Sequence, residues 1–251
     1  GNTYPGAQAP FGMVQLSPDN GLPGWDRISG YFYPDSTIAG FSHTHLSGTG
    51  AGDLYDISFM PVTLPYKEAE APLGIYSKFS HDEESAYAGY YQVRLKDYHI
   101  NVELTATERC GIQRYTFPKA EAAIFLNLKK AMNWDFTNDS HIEVVDSVTI
   151  QGYRYSDGWA RDQRIYFRTR FSKPFDKVEL DTTAIIKTSN TSVRLSSHVL
   201  TSIPKKENRF SSIPPFPASA WKAQPRTCKP KCPKMTSTSI WQKQKQTGTA
   251  N

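Results

Sequence analysis

The sequence predicts an all-β protein: an antiparallel β-sandwich of two large sheets with a loop-rich N-terminal segment. Aromatic residues make up 13% of the 251 residues, with 14 Tyr and 13 Phe, and these side chains favour strands. Apolar and polar residues alternate in successive runs between about residues 54 and 190. The pattern shows no amphipathic helix longer than two turns, so strands must supply the core.

The predicted strands are separated by Gly, Pro, Asn and Asp, which favour turns. Residues 91–95 and 102–105 show the two-residue period most clearly, so alternate side chains there are expected to face the core. The predicted strands span residues 54–64, 90–98, 100–107, 111–117, 123–128, 141–155 and 164–171. The first 50 residues are rich in Gly, Pro and Ser and predict loops mounted on the sheets, where binding residues usually lie.

The last fifty residues differ in composition from the rest of the chain. Seven of the 17 prolines lie there, with ten Lys or Arg and a single acidic residue, Glu207. Residues 202–251 therefore carry a net charge of +9 and residues 1–201 a net charge of −4, so the total of +5 says nothing about the ligand of the folded part. We predict a β-sandwich domain over residues 1–201 and a disordered basic tail over residues 202–251.

Cysteine usage and hydropathy exclude several classes of protein. Three cysteines make no disulfide framework: Cys110 stands alone in a predicted strand, and Cys228 and Cys232 lie in the tail. No second pair accompanies those two, so we predict no metal site in this chain. No apolar run reaches the roughly 18 residues of a membrane span. Residue 1 is Gly rather than Met, so we expect the first residues to be missing and draw nothing from the lack of a signal peptide.

The turn at Gly24, Trp25 and Asp26 is the first candidate binding site. An indole face covers the C–H groups of a sugar ring, and a carboxylate accepts hydrogen bonds from its hydroxyl groups. Glycines at positions 21, 24 and 30 indicate an exposed turn. Packing of Trp25 in the core is the alternative interpretation.

His43 and His45 are the second candidate, within the run Gly-Phe-Ser-His-Thr-His-Leu-Ser-Gly-Thr-Gly at residues 40–50. Two histidines spaced by two residues project to the same side of an extended segment. They are able to bind a metal, to donate hydrogen bonds to a ligand, or to pack in a loop with both nitrogens satisfied. The neighbourhood offers no third metal ligand, which disfavours the first interpretation.

Other chemistry finds little support. The glycines at residues 48–52 lack the spacing of a phosphate-binding loop, and no nucleophile elbow is present. Five aspartates (Asp19, Asp26, Asp35, Asp53 and Asp56) offer carboxylates for glycoside chemistry, but their spacing selects no acid–base pair.

The N-terminal motifs resemble those of the N-terminal domain of the family-92 glycoside hydrolases, which are exo-acting α-mannosidases. The resemblance extends over about residues 1–190 and is most specific in the first 61. It is carried by Asn-Thr-Tyr-Pro-Gly-Ala at 2–7, Pro-Phe-Gly-Met-Val-Gln-Leu-Ser-Pro-Asp at 10–19, Gly-Trp-Asp at 24–26, Ser-Gly-Tyr at 29–31, residues 40–50, Met-Pro at 60–61, Gly152, Gly-Trp-Ala at 158–160 and Tyr-Phe at 166–167. Leu54-Tyr55 departs slightly from the residues that the family motif has before Asp56.

The resemblance implies a β-sandwich that packs on a helical (α/α)6-barrel domain. It implies an inverting, calcium-dependent reaction whose general acid and base, and whose calcium, belong to that second domain, so we expect no catalytic residue in this chain. Trp25 and Asp26, with His43 and His45, are then expected to shape the pocket for a mannose-containing glycan. We expect the fragment to be inactive alone, and the full-length enzyme to be secreted or periplasmic. A stand-alone carbohydrate-binding module is the alternative; a nucleic-acid partner is not expected.

The composition of the tail also suggests translation in the wrong reading frame. Residues 202–251 were back-translated with freely chosen synonymous codons and read in the frame two bases later. One permitted result is an amino-acid sequence that resembles the sequence that follows this domain in the family. At three positions the genetic code leaves no choice of residue in the shifted frame. The codons of Trp221, Met235 and Trp241, each with the codon that follows, encode Glu, Asp and Ala there, and all three agree with the family sequence. The frameshift is therefore our prediction for the tail, and a genuine basic extension is its alternative.

Overall fold

The computed structural model describes residues 2–48, 52–70, 73–128, 134–181, 192–197 and 236–242. Two single-turn 3₁₀ helices, Trp25–Arg27 and His81–Glu83, lie in the connections between the strands. The strands are β1 (Ala7–Gln8), β2 (Gln15–Asp19), β3 (Thr37–Ile38), β4 (Gly40–Ser42), β5 (Ser58–Thr63), β6 (Ser77–Lys78), β7 (Glu84–Tyr87), β8 (Tyr90–Leu95), β9 (Ile100–Ala106), β10 (Cys110–Thr116), β11 (Ala122–Asn127), β12 (Phe136–Asp146), β13 (Thr149–Asp157), β14 (Gln163–Arg170), β15 (Lys177–Asp181), β16 (Ser192–Ser197) and β17 (Thr236–Gln242).

The strands form the predicted antiparallel sandwich. One sheet has seven strands in the order β1-β2-β4-β5-β11-β16-β15, and the other has eight in the order β12-β13-β14-β17-β10-β9-β8-β7. The pair β3 and β6 forms a small separate sheet. The all-β prediction is confirmed.

The core lies between the two large sheets and follows from the two-residue period. In β8, Tyr91, Val93 and Leu95 are buried while the residues between them are exposed. Phe41 in β4 and Phe59 in β5 pair across the other sheet and join the same cluster. Alternate side chains of each strand therefore face one shared core.

Two predicted strands differ from the structure. Of residues 54–64, only Ser58–Thr63 form a strand, because Leu54, Tyr55 and Ile57 adopt positive φ angles that break the ladder. The single strand predicted at residues 141–155 is the hairpin of β12 and β13. Its turn is closed by the carboxylate of Asp146, which accepts a hydrogen bond from the Val148 amide at 2.8 Å.

The loop-rich N-terminal segment is tied into the seven-stranded sheet by short strands. β2 pairs with β1 and β4, and β4 pairs with β5, so the first 42 residues are anchored at three places. The long connection between β2 and β4 carries the 3₁₀ helix Trp25–Arg27. The candidate sugar residues thus lie on a loop that leaves and re-enters a rigid sheet.

One segment of the tail differs from the expectation of disorder. Residues Thr236–Gln242 form β17, which pairs with β10 on one side and β14 on the other. The prediction for residues 202–235 and 243–251 lies outside the described residues. The frameshift stays a prediction, and the nucleotide sequence from codon 180 to well past codon 251 tests it.

Two further findings bear on the class of protein. Cys110 is disulfide-bonded, which the expectation of a lone cysteine missed. Within the described part of the chain, no helix has the length and apolar character to cross a membrane.

Candidate functional site

Trp25 and Asp26 lie exposed on the 3₁₀ turn between β2 and β4. The Trp25 side chain is 58% exposed, so core packing does not describe it. Arg27 holds the turn in place with a bidentate ion pair to Asp35, in which Nε and Nη2 each donate at 2.5 Å. Asp26, the next residue, is also exposed to solvent.

Trp134 lies against Trp25, although 109 positions separate the two in the sequence. Their ring centroids are 5.6 Å apart with a tilt of 51°, and Trp134 is 46% exposed. The Trp134 amide donates to the carbonyl of Gly52 at 3.4 Å. No local pattern marks Trp134 as a binding residue, because its contact with Trp25 is made by the fold.

A third exposed tryptophan, Trp159, is linked to the same edge through Asp53. The buried Asp53 carboxylate accepts hydrogen bonds from the amides of Trp159 at 3.0 Å and Ala160 at 2.7 Å. Asp53 directly follows Gly52, the residue that contacts Trp134. We call Trp25, Trp134 and Trp159 the tryptophan edge.

A buried ion network supports the tryptophan edge from below. The guanidinium of Arg154 donates through Nη1 to Asp56 and through Nη2 to Asp135 at 2.8 Å, and all three side chains are excluded from solvent. Arg154 Nε also donates to the hydroxyl of Thr137 at 2.8 Å. Asp135 is the residue after Trp134, so the network fixes the backbone that carries that ring.

The network also changes the protonation of its members. Burial raises the pKa of Asp135 to about 6, although the charge of Arg154 opposes that rise. Burial alone would lower the pKa of Arg154, but the carboxylates of Asp56 and Asp135 outweigh it and raise that pKa. Asp56 accepts two more hydrogen bonds, from Thr44 at 2.7 Å and Gln163 at 2.9 Å, and is fully compensated.

His43 lies in the core, away from solvent. Its Nδ1–H donates to the carbonyl of Ile57 at 2.7 Å, and its Nε2 faces the amide group of Gln113 at 3.4 Å. Burial lowers the pKa of His43 to about 4, so the ring is neutral at pH 7. Gly111 makes room for it, since a Cβ at that position would lie 2.6 Å from the imidazole.

His45 is also buried and supports the turn that carries Trp25. Its Nδ1 faces the carbonyl of Gln15 at 2.7 Å and its Nε2 faces the carboxylate of Asp19 at 2.8 Å. The hydroxyl of Ser42 also lies 3.1 Å from Nε2, so both ring nitrogens face protein partners. Gly30, with φ +84°, packs against the pair; a Cβ there would lie 2.6 Å from Asp19 and 3.1 Å from the His45 ring.

A small cavity adjoins His45 but offers no free polar group of that ring. Its volume is about 220 Å³. The cavity is lined by Met13, Gln15, Thr44, His45, Leu46, Leu54 and Ile165. Both ring nitrogens of His45 already face protein partners, Gln15 and Asp19.

The structure thus separates the four predicted site residues into two pairs. Trp25 and Asp26 are exposed at the edge, while His43 and His45 are buried beneath it. The sugar contact predicted for the histidines stays a prediction, and their geometry fits the packing alternative. Among the described residues, no group of three or more His, Cys, Asp or Glu side chains is placed to hold a metal ion.

The fold defines the class of antiparallel two-sheet β-sandwich domains, a class that by itself fixes no function. Residues 1–208 match the Glycosyl hydrolase family 92 N-terminal domain. The chain therefore belongs to glycoside hydrolase family 92.

Solved structures and a curated relative agree with this family. The GH92 alpha-mannosidase BT3965 from Bacteroides thetaiotaomicron is 30% identical with a TM-score of 0.73, over 96% of this chain and 30% of that one. The GH92 inverting mannosidase BT2199 from the same organism shares the fold, with 21% identity and a TM-score of 0.66, over 96% of this chain and 28% of that one.

One curated relative is described as an uncharacterized secreted glycosidase of Arthroderma benhamiae. It is 29% identical over 128 residues, which are 49% of this chain and 16% of that protein. The chain thus spans less than a third of each of these relatives.

Proposed function

We propose that this chain is the N-terminal part of an exo-acting α-mannosidase that hydrolyses mannose-containing glycans with inversion. The observation that carries the proposal is the exposed Trp25, which is in tilted contact with Trp134 and is followed by the solvent-exposed Asp26. The family membership and the named activity of the BT3965 relative support the same reaction class. In the proposal, this chain supplies the substrate-contacting wall of the pocket and no catalytic carboxylate.

The chemistry assigned to this chain is binding and orientation. The indole of Trp25 covers the apolar C–H face of a sugar unit and excludes water from that side. Asp26 accepts hydrogen bonds from its hydroxyl groups, which fixes the rotation of the ring on the indole. These contacts hold the glycosidic bond between two carboxyl groups of the rest of the enzyme. One is a carboxylic acid that donates its proton to the leaving oxygen, and the other is a carboxylate that takes a proton from the attacking water on the opposite face.

Two further parts of the proposal lie outside this chain. A helical (α/α)6-barrel domain would bring the general acid and base, and it would cover the tryptophan edge as an intramolecular partner. Following the family resemblance, we also place the calcium ion in that domain and assign no step to an ion held by this chain.

We also propose that the full-length enzyme works outside the cytoplasm, secreted or in the periplasm. The relative from Arthroderma benhamiae is described as secreted. Fractionation of cells that express the complete gene tests the assignment, and activity confined to the cytoplasm would refute it.

The proposed function is tested by ligand-observed NMR and a turnover assay on the 251-residue chain. We expect no hydrolysis of an α-mannoside and weak, saturable contact with α-linked mannobiose, lost in Trp25→Ala. Tyr87→Ala is the matched control, because Tyr87 is 56% exposed and stacks on Tyr90 far along the chain from the edge. Its binding should equal that of the wild type.

Three other outcomes would each change the proposal. Turnover by the purified chain that Trp25→Ala abolishes would show that it is active alone. Tight binding without turnover would favour the stand-alone carbohydrate-binding module. Binding that is absent, or lost equally in Tyr87→Ala, would refute the sugar contact.

A further inference from the structure

Trp134 is an exposed aromatic residue to which the proposed sugar contact of Trp25 gives no role. Nearly half of its side chain faces solvent, and its ring touches that of Trp25. Large aromatic side chains exposed side by side are unusual on a soluble domain unless they bind something. Trp134 therefore extends the apolar surface that Trp25 begins.

The position of Trp134 is fixed from both sides along the chain. Its own amide is bonded to Gly52, and the next residue, Asp135, is bonded to Arg154 at 2.8 Å. Arg154 is itself only 1% exposed and is held by Asp56 on the other side. Because the backbone beneath the ring is anchored, the ordering cost of binding is confined to the Trp134 side chain.

The tilt between the two rings determines what they are able to hold. Ring planes that meet at 51° with centroids 5.6 Å apart cannot both lie flat against one pyranose ring. Each indole therefore offers its face to a different sugar unit, and the surface bends between the two units. Such a surface fits a linked pair of sugars better than a single one.

We propose that Trp134 contacts the second sugar unit of the glycan and sets a preference for linked mannose over free mannose. The inference rests on the proposed function, because it takes Trp25 as the contact of the first unit. Trp134 acts as a specificity residue: it adds affinity for ligands that are long enough to reach it. Its loss should leave the binding of a single sugar intact.

The test compares mannose with α-linked mannobiose on the full chain by saturation-transfer NMR titration. Wild type should bind mannobiose about 5- to 10-fold more tightly than mannose, the range of one aromatic contact. Trp134→Ala should remove that preference and leave mannose binding unchanged. Trp134→Phe should restore part of the preference, and Trp25→Ala should weaken both ligands.

The outcomes separate this inference from the proposed function. If wild type binds neither sugar, the sugar contact of Trp25 fails and this inference fails with it. If wild type binds both and Trp134→Ala keeps the preference, or weakens both sugars equally, Trp134 has no part in specificity while the contact of Trp25 stands. A general loss of structure would lower both affinities together, so the ratio distinguishes it from a lost second contact.

Discussion

The histidine pair and the tryptophan edge lie close together and yet have opposite characters. His43 and His45 are buried with all four ring nitrogens facing protein partners, whereas Trp25 and Trp134 are about half exposed. Both regions were predicted to contact the sugar, with packing inside the protein as the alternative for each. The difference shows that hydrogen-bond partners beneath the surface decide where a polar ring lies.

The two regions are joined by a support layer of charged side chains. Arg154 with Asp56 and Asp135 fixes the backbone at Trp134, and His45 with Asp19 packs behind Gly30 on the turn of Trp25. Substitutions in this layer and in the histidine pair should cost stability. Substitutions at the edge should cost binding.

The largest effect is expected for Arg154→Met. It leaves Asp56 and Asp135 buried without their cation, and breaking such a pair costs about 3–5 kcal/mol. The free energy of unfolding from urea titration measures the loss. Arg164→Met, at the exposed pair with Asp162, is the control and should leave the unfolding midpoint nearly unchanged. Equal losses in the two variants would contradict the role of the network.

The second effect is a pH dependence that His43 confers. Its pKa falls from 6.5 to about 4 on folding, so the unfolded chain binds a proton in this interval that the folded chain does not. At about 1.4 kcal/mol per pH unit, His43 contributes about 3 kcal/mol that is present above pH 6.5 and is lost as the pH falls to 4. The free energy of unfolding, followed from pH 4 to 7, should rise less steeply in His43→Gln than in wild type.

Asp135 acts with the opposite sign over nearly the same interval. Its pKa rises from 3.8 to about 6, so its contribution to stability is greatest below pH 3.8 and declines as the pH rises to 6. The two groups therefore partly cancel in wild type, which is why the slope of the variant is compared. A His43→Gln profile parallel to that of wild type would contradict a buried neutral imidazole.

A smaller effect is expected for Gly111→Ala. The added Cβ would lie 2.6 Å from the His43 ring and 3.2 Å from Leu16, and overpacking of this kind costs about 1–3 kcal/mol. Thermal unfolding measures it. In the double variant with His43→Ala the two costs should not add, because the clash is gone. Strict additivity would place the strain elsewhere.

The smallest effect on stability is expected at the edge itself. Trp25→Ala and Trp134→Ala remove exposed side chains, so each should change the free energy of unfolding by about 0.5 kcal/mol or less. The same urea titration checks this. A loss near that of Arg154→Met would mean that the tryptophans hold the fold together and would erase the contrast between the two regions.

Local pattern was enough to predict much of the fold. The alternation in β8 and β9 placed both strands within three residues of their observed ends. The hairpin of β12 and β13 was missed because the strand-like residues continue through Ser147 and Val148, and only the Asp146 side chain marks the turn. β2 and β4 were missed because Gly, Pro and Ser there favour loops, and pairing within the sheet overrides that preference.

The site was only half predictable for the same reason. Glycines around Trp25 indicated an exposed turn, and the exposure of Trp25 is confirmed. The burial of His43 depends on the space left by Gly111, and the contact of Trp25 with Trp134 joins residues from distant parts of the chain. Contacts of this range leave no periodic mark in a single sequence.

The pairing of Asp56 with Arg154 also sets an order of events during synthesis. The two residues are 98 positions apart, and ribosomes add about 5–20 residues per second, so Asp56 emerges about 5–20 s before its guanidinium partner. Over that time the carboxylate must stay hydrated, because burying it alone is costly. The tryptophan edge therefore assembles late, because the N-terminal strands leave the ribosome before the segment that carries Arg154 has been synthesised.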